Sequence, residues 1–307
     1  MRGRWWTMLL FLFPLCLAWE GVEVPAEIVR DYVEADQVFD EQLCDWREAV
    51  GSIFRPVVEG MSDAEEATLY IASHMTELTG VYYSTERRKP NMNALEALAE
   101  KKVSCTGQSI LLICALRSVG IPARAVCVRT WNHVPGNHTW VEAWVHGEWR
   151  MIEFNEKAFN TPWVMESVGL LNPARPEQRV YAAAPSTGRL MRYGRAPVLV
   201  EDVTDRYTHL AREWYEKTQM PPGHKRLMVD VLPRPEKPLT LILESEDGKP
   251  LAVALSPTAG DDMRQFTTFN LPESGQYYVR LQGQEGRAHV QTTAQPAQVV
   301  RLSNRAD

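Results

Sequence analysis

A cysteine, a histidine and two carboxylates hold most of the chemistry available to this chain. In "KKVSCTGQSILLICALRSVGIPAR", residues 101–124, Cys105 stands directly before an apolar run. A cysteine nucleophile needs a lowered pKa, a base within hydrogen-bond reach and a group that orients the base. At the head of a helix, unpaired N–H groups and the macrodipole favour the thiolate. Thr106 and Gly107 keep the first turn small enough to admit a substrate carbonyl, and the Cys105 N–H is suited to donate to an oxyanion. For the base, His138 opens the run "HTWVEAWV", whose two-residue alternation puts His138, Trp140, Glu142 and Trp144 on one face. The next run, "WRMIEFNE", ends in carboxylates; Glu153 or Glu156 is suited to fix the imidazole tautomer. A three-residue loop at 146–148 would pair position 138 with 156, and another loop length shifts that register.

The elements that must position these groups can be read around them. Ser104 is fitted to cap a helix in which seven successive apolar residues, Ile110 to Leu116, leave no polar face, so burial on nearly all sides is expected. Gly120 and Pro122 stop that helix. Strand-like runs follow at 123–131, 138–145 and 149–154, with Pro135-Gly136-Asn137 between the first two and a turn at His146-Gly147-Glu148. Upstream, residues 19 to 100 are helix-rich: Ser62 with Glu65 reads as a capping box. Ala67, Tyr70, Ile71, His74, Met75 and Leu78 then recur at helical spacing, with His74 expected as a satisfied core histidine. Residues 165–202 read as ordered loop with short strands. Thr204 reads as the cap of a helix with Tyr207, Leu210, Ala211 and Trp214 on one side, ended by a linker-like Met220-Pro221-Pro222-Gly223. From Arg226 the pattern is all β, with a hairpin at Asp247-Gly248, and its spacing predicts a small antiparallel sandwich.

"SCTGQSILLICALRSVGIPAR" (104–124) and "GNHTWVEAWVHGEWRMIEFNE" (136–156) together resemble the transglutaminase-like superfamily of papain-type thiol enzymes. The shared features are a Cys opening a helix, the LR-x-x-GIPAR exit, an H-x-W strand, and an acid four residues after a strand tryptophan. "VEDVTDRY" (200–207) adds a fainter likeness. The resemblance implies Cys105 as nucleophile, His138 as base and Glu153, four after Trp149, as the orienting acid. The family usually has Asp there. Glu156 lies seven after Trp149, where peptide-N-glycanase-like members carry a second acid. For the family's upstream oxyanion donor, Asn91, Asn93 and Tyr83 are the candidates. The implied fold is α+β: a helical part packed on an antiparallel sheet over 19–220, with its core at 101–164, followed by an all-β sandwich at 226–307. The implied activity is acyl transfer through a thioester. Amide or peptide hydrolysis comes first, transfer of a glutaminyl acyl group to an amine second, and a catalytically inactive binding module third. No metal or organic cofactor is called for.

Composition bounds these readings. The chain's 307 residues, 45% hydrophobic, suffice for one large domain or two ordinary ones. Arg2 and Arg4 precede an apolar run ending at Ala18, which reads as a signal peptide over 1–18 and is shorter than the about 20 residues of a membrane span. The chain is therefore expected to be exported, periplasmic or extracellular, without stable membrane insertion. Removal of those two arginines would take the net charge from −6 to −8, which argues against a nucleic-acid partner. A peptide or protein substrate is expected, with a cell-surface polymer or protein as the C-terminal domain's partner. Of the remaining cysteines, Cys114 reads as core, and Cys127 is a candidate to pair with Cys44. His133, His138, His146 and Cys105 lack metal-ligand spacing. Asn137-His138-Thr139 matches a glycosylation acceptor by accident of sequence, and Trp140, Trp144 and Trp149 read as packing residues.

Overall fold

The structure is a computed structural model that describes residues 19, 24–193, 196–218, 220–261, 265–290 and 295–304. The apolar run read as a signal peptide lies outside the described residues. The chain divides into two compact units, Met1–Ala125 with Val141–Phe159 and Val126–Trp140 with Asn160–Asp307. Among the described residues, no helix is long and apolar enough to cross a membrane.

The first unit is built around the cysteine helix, Cys105–Ser118. Its apolar run from Ile110 to Leu116 is buried throughout, as the absence of a polar face requires. Each large aliphatic side chain there contributes about 1.5–3 kcal/mol of burial. The helices Arg47–Phe54, Ala64–Ser73 and Ala94–Glu100 pack against it. Ser104 caps it as expected, its hydroxyl accepting from the Gly107 N–H at 3.0 Å. At the other end Gly120 adopts φ +81°. Its N–H reaches Arg117 O at 3.1 Å and that of Ile121 reaches Leu116 O at 3.0 Å, closing a Schellman motif.

Two expectations upstream need correction. Asp63 rather than Ser62 caps the helix Ala64–Ser73, its carboxylate accepting from the Glu65 N–H at 2.9 Å. His74 is no core histidine. It sits half-buried at the break between that helix and Met75–Thr79, stacked on Tyr70, with Nδ1 2.8 Å from Tyr70 O. A break at this point interrupts the helical repeat that sequence spacing alone carries through.

The histidine strand His138–Val145 and the acid strand Glu148–Ile152 form a hairpin paired from Val141↔Ile152 to Val145↔Glu148. Its loop is two residues long, not three: His146 (φ +52°) and Gly147 (φ +82°) make a type I′ pattern. Glu148 thereby joins the strand, and the register that would set 138 opposite 156 is replaced by one shifted by a residue.

In the second unit Val126–Val128 pair antiparallel with Val180–Ala183, followed by Pro197–Asp202 and Arg189–Arg192. The helices Pro162–Gly169 and Thr204–Thr218 pack closely because Gly169 has no Cβ; one placed there would stand 2.4 Å from a Tyr215 ring carbon. Thr204 is the first helical residue rather than the cap: its N–H donates to the Asp202 carboxylate, and its hydroxyl accepts from Val180 N–H. The inward side of this helix carries Tyr207, Ala211 and Tyr215 rather than Leu210 and Trp214. Met220, read as linker, is buried with Leu170, Tyr215, Met228 and Ala297.

The last 80 or so residues form two sheets. One is antiparallel, in the order Pro250–Leu255, Thr240–Ser245, Tyr277–Leu281, Arg287–Val290. The other sets Thr267–Pro272 and Ala297–Ser303 on either side of His224–Leu232, and the Ala297–Ser303 pairing is parallel, against the expected all-antiparallel pattern. Buried residues from both sheets, among them Leu227, Val229, Leu243 and Val279, make one core cluster.

Candidate functional site

Cys105 is the first residue of its helix and is only partly covered, whereas Thr106 and every residue from Ser109 to Ser118 are buried. Its thiol thus stands where the helix's unpaired N–H groups favour a negative charge. Gly107 keeps the first turn tight: an added Cβ would meet Val103 Cβ at 3.0 Å. Ser104, besides capping, donates to Pro90 O, which ties the entry loop to the helix head. Cys44, Cys105, Cys114 and Cys127 are all thiols, so the candidate pair Cys44 and Cys127 is not bridged. Cys114 lies in the core, where burial pushes its thiol well above the usual range.

The two arginines of the helix-exit motif have structural tasks. Arg117 is buried and donates to three backbone carbonyls, Ala123 (3.1 and 2.9 Å), Ala35 (2.8 Å) and Gln37 (3.0 Å). Burial lowers its pKa to about 10. Arg124 binds the fully buried Glu142 carboxylate at 2.8 Å and lies 4.2 Å over the Trp149 ring, with Tyr32 edge-on to that ring at 4.9 Å. Trp144 also meets Trp149 edge-on, so these tryptophans pack as expected.

Glu153, just beyond the acid strand, is buried. Asn155 fixes the turn that follows. It takes φ +66°, its N–H donates to Ala72 O at 2.8 Å, and its side-chain amide exchanges hydrogen bonds with Thr76 at 2.9 and 2.7 Å. Glu156 is more open, and its carboxyl is raised above the usual range first by burial and then by the charge of Glu153. The oxyanion candidates are occupied elsewhere or turned out. Asn91 donates to Asp40, Asn93 caps the helix Ala94–Glu100 in a capping box with Glu96, and Tyr83 is exposed.

His138 lies in the second unit in an aromatic setting. Its ring stacks on Trp140 (centroids 5.8 Å) and Trp131 (6.3 Å) and meets Trp163 at 4.6 Å and 61°. Trp140 is anchored in turn, its indole N–H donating to Tyr207 Oη at 2.7 Å. That bond gives a physical meaning to the faint likeness at 200–207. Tyr193 Oη donates to His138 O at 3.1 Å. Nearby, His133 is largely buried, tilted against Trp131 and Phe266, and Arg301 donates to its carbonyl at 2.9 Å. Burial, with Arg301 adding to it, lowers the His133 pKa to about 4. His146 sits instead in the hairpin loop of the first unit, 3.4 Å from Asp63 and 3.3 Å from Glu65.

Sequence reasoning missed Trp131, Trp163, Tyr193 and Tyr207 as neighbours of the histidine strand. They come from distant points of the chain, and only the 200–207 likeness hinted at one of them.

Residues 52–154 match the model of the Transglutaminase-like superfamily. The match bears out the resemblance seen at 101–164; it takes in Cys105, His138 and Glu153 and stops short of Glu156. No curated protein matches the chain. Similar solved structures include a candidate cysteine protease from Cytophaga hutchinsonii, at 16% identity over 43% of each chain with a TM-score of 0.34. Red sea bream transglutaminase is 12% identical over 83% of this chain and 61% of its own, with a TM-score of 0.42. A TGase is 16% identical over 34% of this chain and 31% of its own, with a TM-score of 0.25. This chain spans less than two thirds of the length of each. The family match at 52–154 gives this chain a transglutaminase-like core, within a mixed α and β structure.

Proposed function

We propose that Cys105, His138 and Glu153 act as nucleophile, base and orienting acid of an exported thiol acyl-transfer enzyme that hydrolyses amide or peptide bonds. The thiolate attacks the amide carbonyl, His138 protonates the leaving amine, and water then resolves the thioester, regenerating the thiol. The observation that carries the reading is the half-covered thiol at the head of a largely buried helix. An inert core cysteine has no reason to occupy that position, and a nucleophile does.

Hairpin register favours Glu153 over Glu156. Even-numbered residues of the histidine strand share one face, and the pairs Glu142↔Met151 and Trp144↔Trp149 put the odd-numbered residues of the acid strand on it. Carried one residue past the strand end, that alternation supports Glu153 on the His138 face, whereas Glu156 follows the turn at Asn155 and gains no such support. We read the two C-terminal sheets as a sandwich domain over 226–307, and the segment 1–18 as the export signal.

The test is alkylation of the protein by iodoacetamide across pH. The reading expects rapid labelling of Cys105 below pH 7 and marked slowing in His138→Ala; labelling no faster than a thiol of pKa about 8.5, indifferent to His138, would end it. Digestion of a peptide library with and without added amine then decides between hydrolysis and amine transfer.

A further inference from the structure

Of the three tryptophans around His138, two are buried, Trp131 at 7% and Trp140 at 0% exposure, while Trp163 is 38% exposed. Trp131 and Trp140 stack nearly parallel, 7° apart with centroids 6.3 Å apart, and hold the imidazole from within. Trp163 meets the imidazole and, edge-on, Trp131, but unlike the other two it keeps much of its surface in water. It belongs to the first turn of Pro162–Gly169, whose inward side is already supplied by Val164, Met165 and Val168. An indole left in water 4.6 Å from a candidate base offers an apolar surface to whatever reaches that base.

We infer that Trp163 is a specificity-determining residue that selects a neutral apolar or aromatic group on the amine side of the scissile bond. The inference rests on the acyl-transfer reading above. If His138 protonates the leaving nitrogen, the substituent on that nitrogen is the part of the substrate next to the imidazole, within van der Waals reach of the indole. A cationic group there would face the imidazolium formed during attack, and the like-charge repulsion disfavours it. By microscopic reversibility the same surface receives an amine that attacks the acyl-enzyme.

The experiment uses p-nitrophenyl acetate as acyl donor and the whole chain as enzyme. The thiolate adds to the ester carbonyl and p-nitrophenolate leaves, giving an acetyl thioester. An added amine then attacks, the S–C bond breaks, and the amine proton passes to His138. Glycinamide, phenylalaninamide and lysinamide compete as acceptors, and the acetylated products are quantified. Wild type should favour N-acetylphenylalaninamide over the other two by about tenfold. Trp163→Ala should bring the three products near parity, and Trp163→Phe should fall between. A p-nitrophenolate burst that needs both Cys105 and His138 is the prior condition; its absence overturns the acyl-transfer reading and this inference together. With the burst present, an unchanged product ratio in Trp163→Ala, or lysinamide favoured equally with phenylalaninamide, overturns the inference alone. Because Trp163→Phe keeps an aromatic ring on the helix, loss of fold in the Ala variant leaves the comparison readable.

Discussion

Cys105 and His138 are set in environments of different kinds. Cys105 stands at a helix head, where its setting is backbone N–H groups with the Ser104 hydroxyl capping the N–H of Gly107. Around His138 the setting is side chains: Trp131, Trp140 and Trp163 against the ring, with Tyr207 fixing Trp140. A backbone-made environment is robust to most substitutions but sets only charge preference. A side-chain-made one is vulnerable to single changes but can set orientation and selectivity. The two buried arginines repeat the contrast: Arg117 donates to backbone carbonyls, whereas Arg124 binds the Glu142 carboxylate and lies over the Trp149 ring.

The largest effect should come from the side chains proposed to act with His138. If Glu153 orients the imidazole, Glu153→Gln removes the negative charge while keeping the shape, and turnover of p-nitrophenyl acetate should fall by about 10²–10⁴-fold, as for the acid of other triads. Glu156→Gln should leave turnover near wild type, since Glu156 stands beyond the turn at Asn155, outside the hairpin register that supports Glu153. A reversal of the two outcomes would reassign the acid and, with it, the register argument.

That contrast also explains what the sequence allowed to be read. The cysteine helix was legible to its last turn, because cap, apolar run and Gly120 stop are local and contiguous. The hairpin was legible in type but not in loop length. A non-glycine residue, His146, takes positive φ, and a reading that avoids this conformation lengthens the turn by one residue. The cap at Asp63 rather than Ser62 is an offset of the same size. The aromatic setting of His138 was not legible, because it gathers residues 131, 140, 163 and 207 with no shared period. The parallel pairing of Ala297–Ser303 with His224–Leu232 escaped for the same reason, being settled by partners about 70 residues apart.

A middle-sized effect is expected at His133, in the loop that leads to His138. Burial and Arg301 lower its pKa to about 4, below the ordinary 6.5. The unfolded chain therefore binds the proton more tightly than the folded one. The stability this histidine contributes is complete above pH 6.5 and is lost as pH falls towards 4, by about 2–3 kcal/mol. Urea unfolding at pH 7 and pH 4.5 should show that loss in wild type, and His133→Gln should flatten it. An identical pH slope in both proteins would mean that His133 is not held in its neutral form, and that this aromatic surrounding is looser than its packing implies.

The smallest effect tests the backbone setting. Ser104→Ala removes the hydroxyl that accepts from the Gly107 N–H and should cost about 1 kcal/mol of stability, the usual weight of an N-cap. It also frees that N–H at the helix head, one turn from the thiol. If unpaired donors and the dipole are what favour the thiolate, iodoacetamide labelling of Cys105 below pH 7 should change only slightly, because the donors remain after the cap is gone. Ser104→Asp should restore the cap while setting a carboxylate beside Cys105, and should slow low-pH labelling by opposing the second negative charge. Equal labelling in Ser104→Asp and wild type would mean that the charge at this helix head does not govern the thiol, and the contrast between the two settings would then lose its backbone side.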